Sequence, residues 1–387
     1  MPEAVIVDAV RTPIGRAFKG SLAQLRPDEM GAFIIDKLLE RNPEVDPAIV
    51  EDVYCGCGLP QGLQAFNIAR IMVLLSEKLP KEVTGSTISR YCASSLEAIR
   101  QAANAIRAGE GDVYIAAGVE WVSRYNEAVE GARPQDQNPK LQGNDGQPNA
   151  YIAMGLTAEN VAERYEVSRA EMDKYAQRSQ ELAVASQDSG FFDREIVPVT
   201  LPDGTVVAKD DGPRRESSLE KLAQLEPAFK PGGKVTAGNS CPLNDGAAAV
   251  LLMSDTKAKE LGVKPRARIV TAATWGNEPE YMGVAPIGAI RKVLKRAGMT
   301  MDDIDIVELN EAFAAQVIPI MNECNIPLEK LNPHGGAIAL GHPFGMTGAR
   351  IMCTLLNGLE TDDKQIGLET MCVAGGQGEA MIVERLN

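Results

Sequence analysis

The chain has 387 residues, 44% of them hydrophobic but only 5% aromatic, which suits a large α/β core of Ala, Val, Ile and Leu and leaves room for two or three domains. A formal charge of −14 argues against nucleic acid or an anionic membrane as partner, so any phosphate-bearing ligand must meet a local basic cluster. Seven cysteines without metal-type spacing indicate a reducing compartment and no metal site, and no stretch is apolar enough for membrane insertion.

The start, Ala4 to Ala9, reads as a strand at once, which leaves no room for a signal or transit peptide, and the ending is not a peroxisomal address, so a cytoplasmic location is expected. A helix carrying Met30, Phe33, Ile34 and Leu38 leads to a strand from Asp52 to Gly56, where Cys55-Gly56-Cys57 reads as strand-end packing. Ser89-Arg90-Tyr91-Cys92-Ala93-Ser94-Ser95-Leu96 then places a cysteine just before a helix with apolar Leu96, Ile99, Ala103 and Ile106. A helix start lowers a thiol pKa, as a nucleophile requires; a buried inert cysteine is the alternative. After a strand over 112–117, the polar stretch from Arg124 to Asn149 reads as an extended surface loop. One helix is expected after Thr157 and another at Ser168, where Glu171 completes a capping-box pattern and Met172, Tyr175, Ala176, Ser179 and Leu182 form a packing stripe.

A helix from Pro286 to Gly298 and a strand over 305–309 open the second half. The glycine-dense run from Asn332 to Arg350 then sets His342, one of only two histidines, at the start of an apolar helix with its unpaired N–H groups and positive dipole end. A strand over 366–371 runs into Cys372-Val373-Ala374-Gly375-Gly376-Gln377-Gly378. The two ends of the chain repeat one order of elements. Cys92 and His342 correspond, each eight residues before an arginine, Arg100 and Arg350. Helices alternating with short apolar strands predict sheets covered on both faces.

The segments around Cys92, His342 and Cys372 resemble the thiolase family, whose motifs pair a nucleophilic cysteine before a helix with Gly-His-Pro and a late Cys-x-Gly-Gly-Gly-x-Gly. Arg11 to Gly15, Met154 to Ala162, Thr236 to Asn239, Asn244 to Ala249 and Asn310 to Ala314 follow family signatures in family order, over nearly the whole chain. The resemblance implies an α/β thiolase-like fold, two similar halves stacked as five layers. The first half would cover 1–120, completed by about 248–265; a loop domain at 121–247 would hold coenzyme A, and the second half would cover 266–387. It implies Cys92 as nucleophile, His342 as its proton acceptor, Asn310 as holder of a water, Cys372 as the group that protonates or deprotonates the acetyl carbon, and the N–H groups of Cys92 and Ala374 as an oxyanion hole.

Arg214, Phe229, Cys241, Met154 and Phe313 are the implied acyl-CoA and coenzyme A contacts. A solvated charge pair is the alternative for Arg214-Arg215, and core packing for Phe229. Ala374 stands where the family has glycine, so a left-handed backbone there would cost on the order of 1 kcal/mol. Cys241 replaces a pantetheine-binding serine, and a thiol is a weaker donor. His334 reads as structural, and a late cysteine in place of a second histidine weighs against ketoacyl-synthase chemistry.

The expected activity is thiolytic cleavage of 3-ketoacyl-CoA with coenzyme A as substrate, no resident cofactor, and a homodimer or homotetramer. Ala153 before Met154-Gly155 and Glu120-Trp121-Val122-Ser123 depart from the short-chain pattern, which favours acyl groups longer than acetoacetyl. The alternatives are a biosynthetic acetoacetyl-CoA thiolase and a non-catalytic acyl-CoA-binding protein of the same fold. A serine hydrolase is disfavoured because no Gly-x-Ser-x-Gly stands at a strand-to-helix turn.

Overall fold

The computed structural model describes residues 2–124 and 137–387. Its first half runs β1 (Ala4–Arg11), α1 (Pro27–Arg41), β2 (Asp52–Gly56), α2 (Ile68–Leu75), β3 (Thr84–Ile88), α3 (Ser94–Ala108) and β4 (Val113–Trp121). Helices α4 (Met154–Arg164) and α5 (Arg169–Asp188) intervene before β5 (Asn244–Ser254) completes its sheet. The second half runs β6 (Ala267–Gly276), α6 (Ala285–Ala297), β7 (Ile306–Leu309), α7 (Ala314–Glu323), α8 (Thr347–Thr361), β8 (Ile366–Val373) and β9 (Gln377–Arg385).

The repeat read from the sequence reappears in the strand pairing. The first half is ordered β3-β2-β4-β5-β1 and the second β7-β8-β9-β6. The parallel pair β2/β4 matches β7/β8, and the antiparallel pairs β4/β5 and β5/β1 match β8/β9 and β9/β6. The counterpart of β3 is a single parallel bridge, Val307 to Leu331. The halves join where Val5 and Ile6 pair with Arg268 and Ala267.

Between the sheets lie α3 and α8, with α1 and α2 outside the first and α6 outside the second, which makes five layers. Helix α8 packs on strands of both halves, and every residue from Thr347 to Leu359 is buried. Its surface is mostly apolar, and its buried Thr354 and Asn357 donate to Glu195. Fully buried Arg11 of β1 pairs with Glu195 at 2.6 Å and Asp210 at 2.7 Å, and Asp210 also accepts from the Ile14 N–H, so the segment leading to Arg214 is tied to the body.

Three local expectations change. The helix expected after Thr157 begins at Met154, because the Thr157 hydroxyl donates back to the Met154 carbonyl inside the first turn. His342 does not open its helix: a short helix at Ala337–Leu340 ends before it, and α8 starts at Thr347. Of the expected loop from Arg124 to Asn149, residues 125–136 lie outside the described residues; beyond them Pro139–Leu141 form a 3-10 turn and Gln142 bridges to Asn149. The capping box at Ser168 and Glu171 forms as expected. Among the described residues no helix is long and apolar enough to cross a membrane.

Candidate active site

The Cys92 turn follows β3. Tyr91–Ala93 form a 3-10 turn in which Tyr91 adopts φ 43°, a left-handed conformation that costs a side chain about 1–2 kcal/mol. The surroundings hold it there. The Ser94 hydroxyl accepts from the Arg90 N–H at 2.9 Å and donates to the Tyr91 carbonyl at 2.6 Å, and the Arg90 guanidinium reaches Glu97 at 3.2 Å and Gln377 at 3.1 Å. Cys92 is left at the start of α3, buried, with the Ala374 N–H donating to its sulfur. The helix start was expected to lower its pKa. Burial outweighs that effect: it pushes the thiol well above its usual value, Cys372 and Cys241 add to the rise, and the Ala374 N–H opposes it.

The histidine turn is held mainly by side chains. Gly341 takes φ 116°, and a Cβ there would fall 2.6 Å from the Asn244 side chain, so glycine is required. The Asn244 Oδ1 accepts the His342 N–H at 3.0 Å. On the ring, Nδ1 lies 2.6 Å from the Thr347 hydroxyl, whose own proton goes to the Pro343 carbonyl at 2.8 Å. Thr347 must therefore accept, so Nδ1 carries the proton and Nε2 presents its lone pair. That lone pair faces the Asn310 amide at 3.3 Å. Burial, and then Arg350, lower His342 to about 3, so the ring is neutral. The Asn310 Oδ1 is buried without a partner among the described residues.

Cys372 lies near the end of β8, opposite Gly378 of β9. The hairpin between them uses Gly375 and Gly376, both at φ 78°; a Cβ on Gly376 would sit 2.2 Å from the Asn277 carbonyl. Ala374 is not left-handed, so the strain expected for alanine there is absent. Burial pushes Cys372 up to about 11, opposed by the Gln316 side chain, whose Nε2 lies 3.1 Å from the sulfur. Cys241, held by its N–H to the Ala312 carbonyl at 2.9 Å, is pushed up to about 12 by burial and then by Cys372.

The fold thus gathers Cys92, Cys372, Cys241 and the Ala374 N–H, pairs His342 with Asn310, and joins the two groups through Gln316, which also donates to the Asn310 carbonyl at 3.4 Å. Among the described residues no hydrogen bond links Cys92 directly to His342; their turns meet because α8 packs on the Cys92 turn. Buried Glu120 holds the histidine turn against β4's neighbours, accepting from the N–H groups of Gly345 and Gly58, each at 2.7 Å. Glu311 ties the 332–338 loop to α5, accepting from Tyr175, Ser179, Asn332 and the Ile338 N–H. The packing stripe on α5 therefore also carries two donors to this carboxylate.

The expected coenzyme contacts sit beside this centre. Phe229 meets Phe313 edge-on at 5.9 Å and packs over Gly155, where a Cβ would strike its ring. Phe229 is 41% exposed, so it forms a face of this cluster rather than its core. Met154 and Cys241 pack on the same cluster. Arg215 is ion-paired with Asp188, whereas Arg214 lines a cleft with Arg16, Gln180, Ser217, Ala237 and Gly238. Burial, and then the neighbouring Arg16, lower the Arg214 pKa. His334 stacks on Phe191 at 3.7 Å and reaches Asp362 at 3.1 Å, a structural role away from the centre.

Gln316 and Thr347 did not emerge from the sequence. Gln316 stands two residues past the Asn310 to Ala314 signature and Thr347 five past His342; those spacings are the only signals.

Thiolase N-terminal and C-terminal domain profiles match residues 4–256 and 263–385. The chain belongs to the thiolase family. It is 45% identical to a beta-ketoadipyl-CoA thiolase of Acinetobacter baylyi and 43% identical to a 3-ketoacyl-CoA thiolase of Idiomarina loihiensis, over the whole of each chain. Among solved structures it is similar to the Bacillus anthracis acetyl-CoA acetyltransferase, with TM-score 0.90 and 39% identity over 100% of this chain and 99% of that one. It is also similar to the dimeric peroxisomal thiolase of Saccharomyces cerevisiae, with TM-score 0.93 and 38% identity over 100% and 98%. As a thiolase the chain is an acyltransferase, and its reaction is thiolytic cleavage of 3-ketoacyl-CoA.

Proposed function

We propose that this thiolase works in the degradative direction through a Cys92 acyl-enzyme. The observation that carries the assignment is the gathering of Cys92, Cys372 and the Ala374 N–H, together with a neutral His342 of fixed tautomer that is joined to Cys372 through Asn310 and Gln316. Cys92 Sγ attacks the 3-keto carbon while its proton passes to His342 Nε2, and the N–H groups of Cys92 and Ala374 receive the charge that develops on oxygen. The C2–C3 bond breaks, its electron pair stays on C2 as the acetyl-CoA enolate, and Cys372 gives C2 its proton. The Cys372 thiolate then takes the proton of incoming coenzyme A, whose sulfur attacks the Cys92 thioester; the acyl group leaves as the shortened acyl-CoA, and the expelled Cys92 sulfur recovers its proton from His342. Asn310 holds a water through its unpartnered Oδ1, beside the thioester oxygen of the enolate.

Coenzyme A enters as substrate, with no resident cofactor, and residues 121–247 form the domain that holds it. Arg214, with Arg16 beside it, meets its phosphates, and Phe229, Phe313, Met154 and Cys241 line the pantetheine. The small Ala153 favours acyl groups longer than acetoacetyl, as in cytoplasmic fatty-acid oxidation. Because several relatives are beta-ketoadipyl-CoA thiolases, a dicarboxylic acyl group is the second reading. We further infer a dimer, as in the yeast relative: among the described residues β3 is a sheet edge paired on one side, and exposed Phe66, Leu74 and Leu75 lie beside it. Specificity constants over a series of 3-ketoacyl-CoAs test the substrate. The degradative reading expects a several-fold rise as the chain lengthens, since each buried methylene contributes about 0.8 kcal/mol. A maximum at acetoacetyl-CoA returns the assignment to the biosynthetic alternative, and a maximum at the 3-oxoadipyl ester selects the dicarboxylic one.

A further inference from the structure

We propose that Gln316 is a positioning residue that serves Cys372 in both of its protonation states. The proposal rests on the reading of Cys372 as the group that exchanges a proton with the acetyl carbon. Gln316 sits fully buried on the first turn of α7, and both ends of its amide reach one sulfur: Nε2 at 3.1 Å and Oε1 at 3.4 Å. An amide carries a donor and an acceptor on one rigid group. As a thiol, Cys372 donates to Oε1; as a thiolate, it accepts from Nε2–H. The second Nε2 contact, to the Asn310 carbonyl at 3.4 Å, keeps this end of the amide facing the site. Space is matched to it as well, since a Cβ on Gly283 would lie 2.9 Å from the Gln316 Cβ and 3.3 Å from Oε1.

The reaction asks for such a partner. When an acetyl-CoA methyl C–H breaks, its proton moves to Cys372 Sγ and its electron pair becomes the enolate, whose charge rests on the thioester oxygen; cleavage runs the same transfer backwards. The base begins as a thiolate that needs a donor and ends as a thiol that needs an acceptor. Among the described residues no titratable group fills that place. Cys92 and Cys241 are held in their thiol forms and His342 is neutral. Glu308, Glu369 and Glu379 on the strands of this sheet are raised by burial, with Arg350 beside the first two, and none of these groups bonds the sulfur.

Gln316→Met, which keeps the volume, and Gln316→Glu, which keeps only the acceptor, test the proposal in the full enzyme. Exchange of the acetyl-CoA methyl protons with deuterated water is followed from pH 6 to 10, with acetylation of Cys92 as the control. Each pKa unit is a tenfold change in thiolate fraction, so Gln316→Met is expected to lose about tenfold at pH 7, with the alkaline limb displaced upward by about one unit. Gln316→Glu moves it further, and both variants still acetylate Cys92. An unmoved exchange rate in Gln316→Met, or a loss in Gln316→Glu no larger than that in Gln316→Met, overturns the proposal. Cys372→Ala run beside them separates the two readings. If it retains exchange, the role of Cys372 itself is wrong; if it loses exchange while Gln316→Met keeps the wild-type profile, only the role of Gln316 is.

Discussion

The turns that carry Cys92 and His342 occupy the same place in the two repeated halves, yet they are held in different ways. The Cys92 turn is closed by main-chain geometry, with a left-handed Tyr91, the Ser94 hydroxyl and the helix immediately behind it, and the sulfur itself faces the Ala374 N–H. The His342 turn stands five residues before its helix, and its ring is gripped by Thr347 on one side and Asn310 on the other. In the proposed mechanism the nucleophile must exchange partners during the reaction, which suits a fixed backbone and a lightly bound sulfur. The proposed base must present one lone pair in one direction, which suits a fixed side chain. Duplication supplied one scaffold, and local hydrogen bonding divided the labour.

Removing the base should break this contrast most severely. His342→Asn is expected to slow acetylation of Cys92 by about 10²–10⁴-fold, the usual scale for a positioned general base, measured by rapid quench. The same variant carries a pH signature. An unfolded histidine takes a proton near pH 6.5, but buried His342 refuses it until about 3, so it contributes stability above pH 6.5 that is lost as pH falls through that window. Acid unfolding of His342→Asn should therefore be shallower between those limits.

Thr347→Val probes orientation alone. Loss of the acceptor for Nδ1–H frees the tautomer and should reduce acetylation by about 10- to 100-fold, with substrate KM little changed. A matching drop in the Cys92→Ser background would have no meaning, so the wild-type nucleophile is required. The smallest effect is expected on the nucleophile side. Because Ala374 is not left-handed, Ala374→Gly relieves no strain; it should lower stability by about 0.5–1 kcal/mol through unfolded-chain entropy and leave acetylation within about twofold. A rise in Tm would show that the alanine is strained after all.

Much of this organisation was legible in the chain. Glycine-rich turns, helix caps and the order of apolar segments are local properties, so the two halves, the correspondence of Cys92 with His342, and the hairpin after Cys372 could be read directly. What could not be read depends on contacts between distant segments. The Cys92 pKa turns on burial between two sheets, and the helix start at Met154 turns on a hydroxyl that folds back on its own turn. Arg214 was expected as the coenzyme contact, and the ion pair that sets Arg215 apart depends on distant Asp188. Gln316 and Thr347 acquire meaning from Cys372 and His342, which lie 56 and 5 residues away.

Everything proposed for the mechanism hangs on which sulfur carries the acyl group. Enzyme mixed with acetyl-CoA, quenched within milliseconds and digested, reveals the modified peptide by mass. The account predicts the acetyl group on Cys92 alone, and none on any peptide of Cys92→Ser. Acetyl carried instead by Cys372 or Cys241 would contradict it, because the roles of nucleophile and proton carrier would then be reversed or lost.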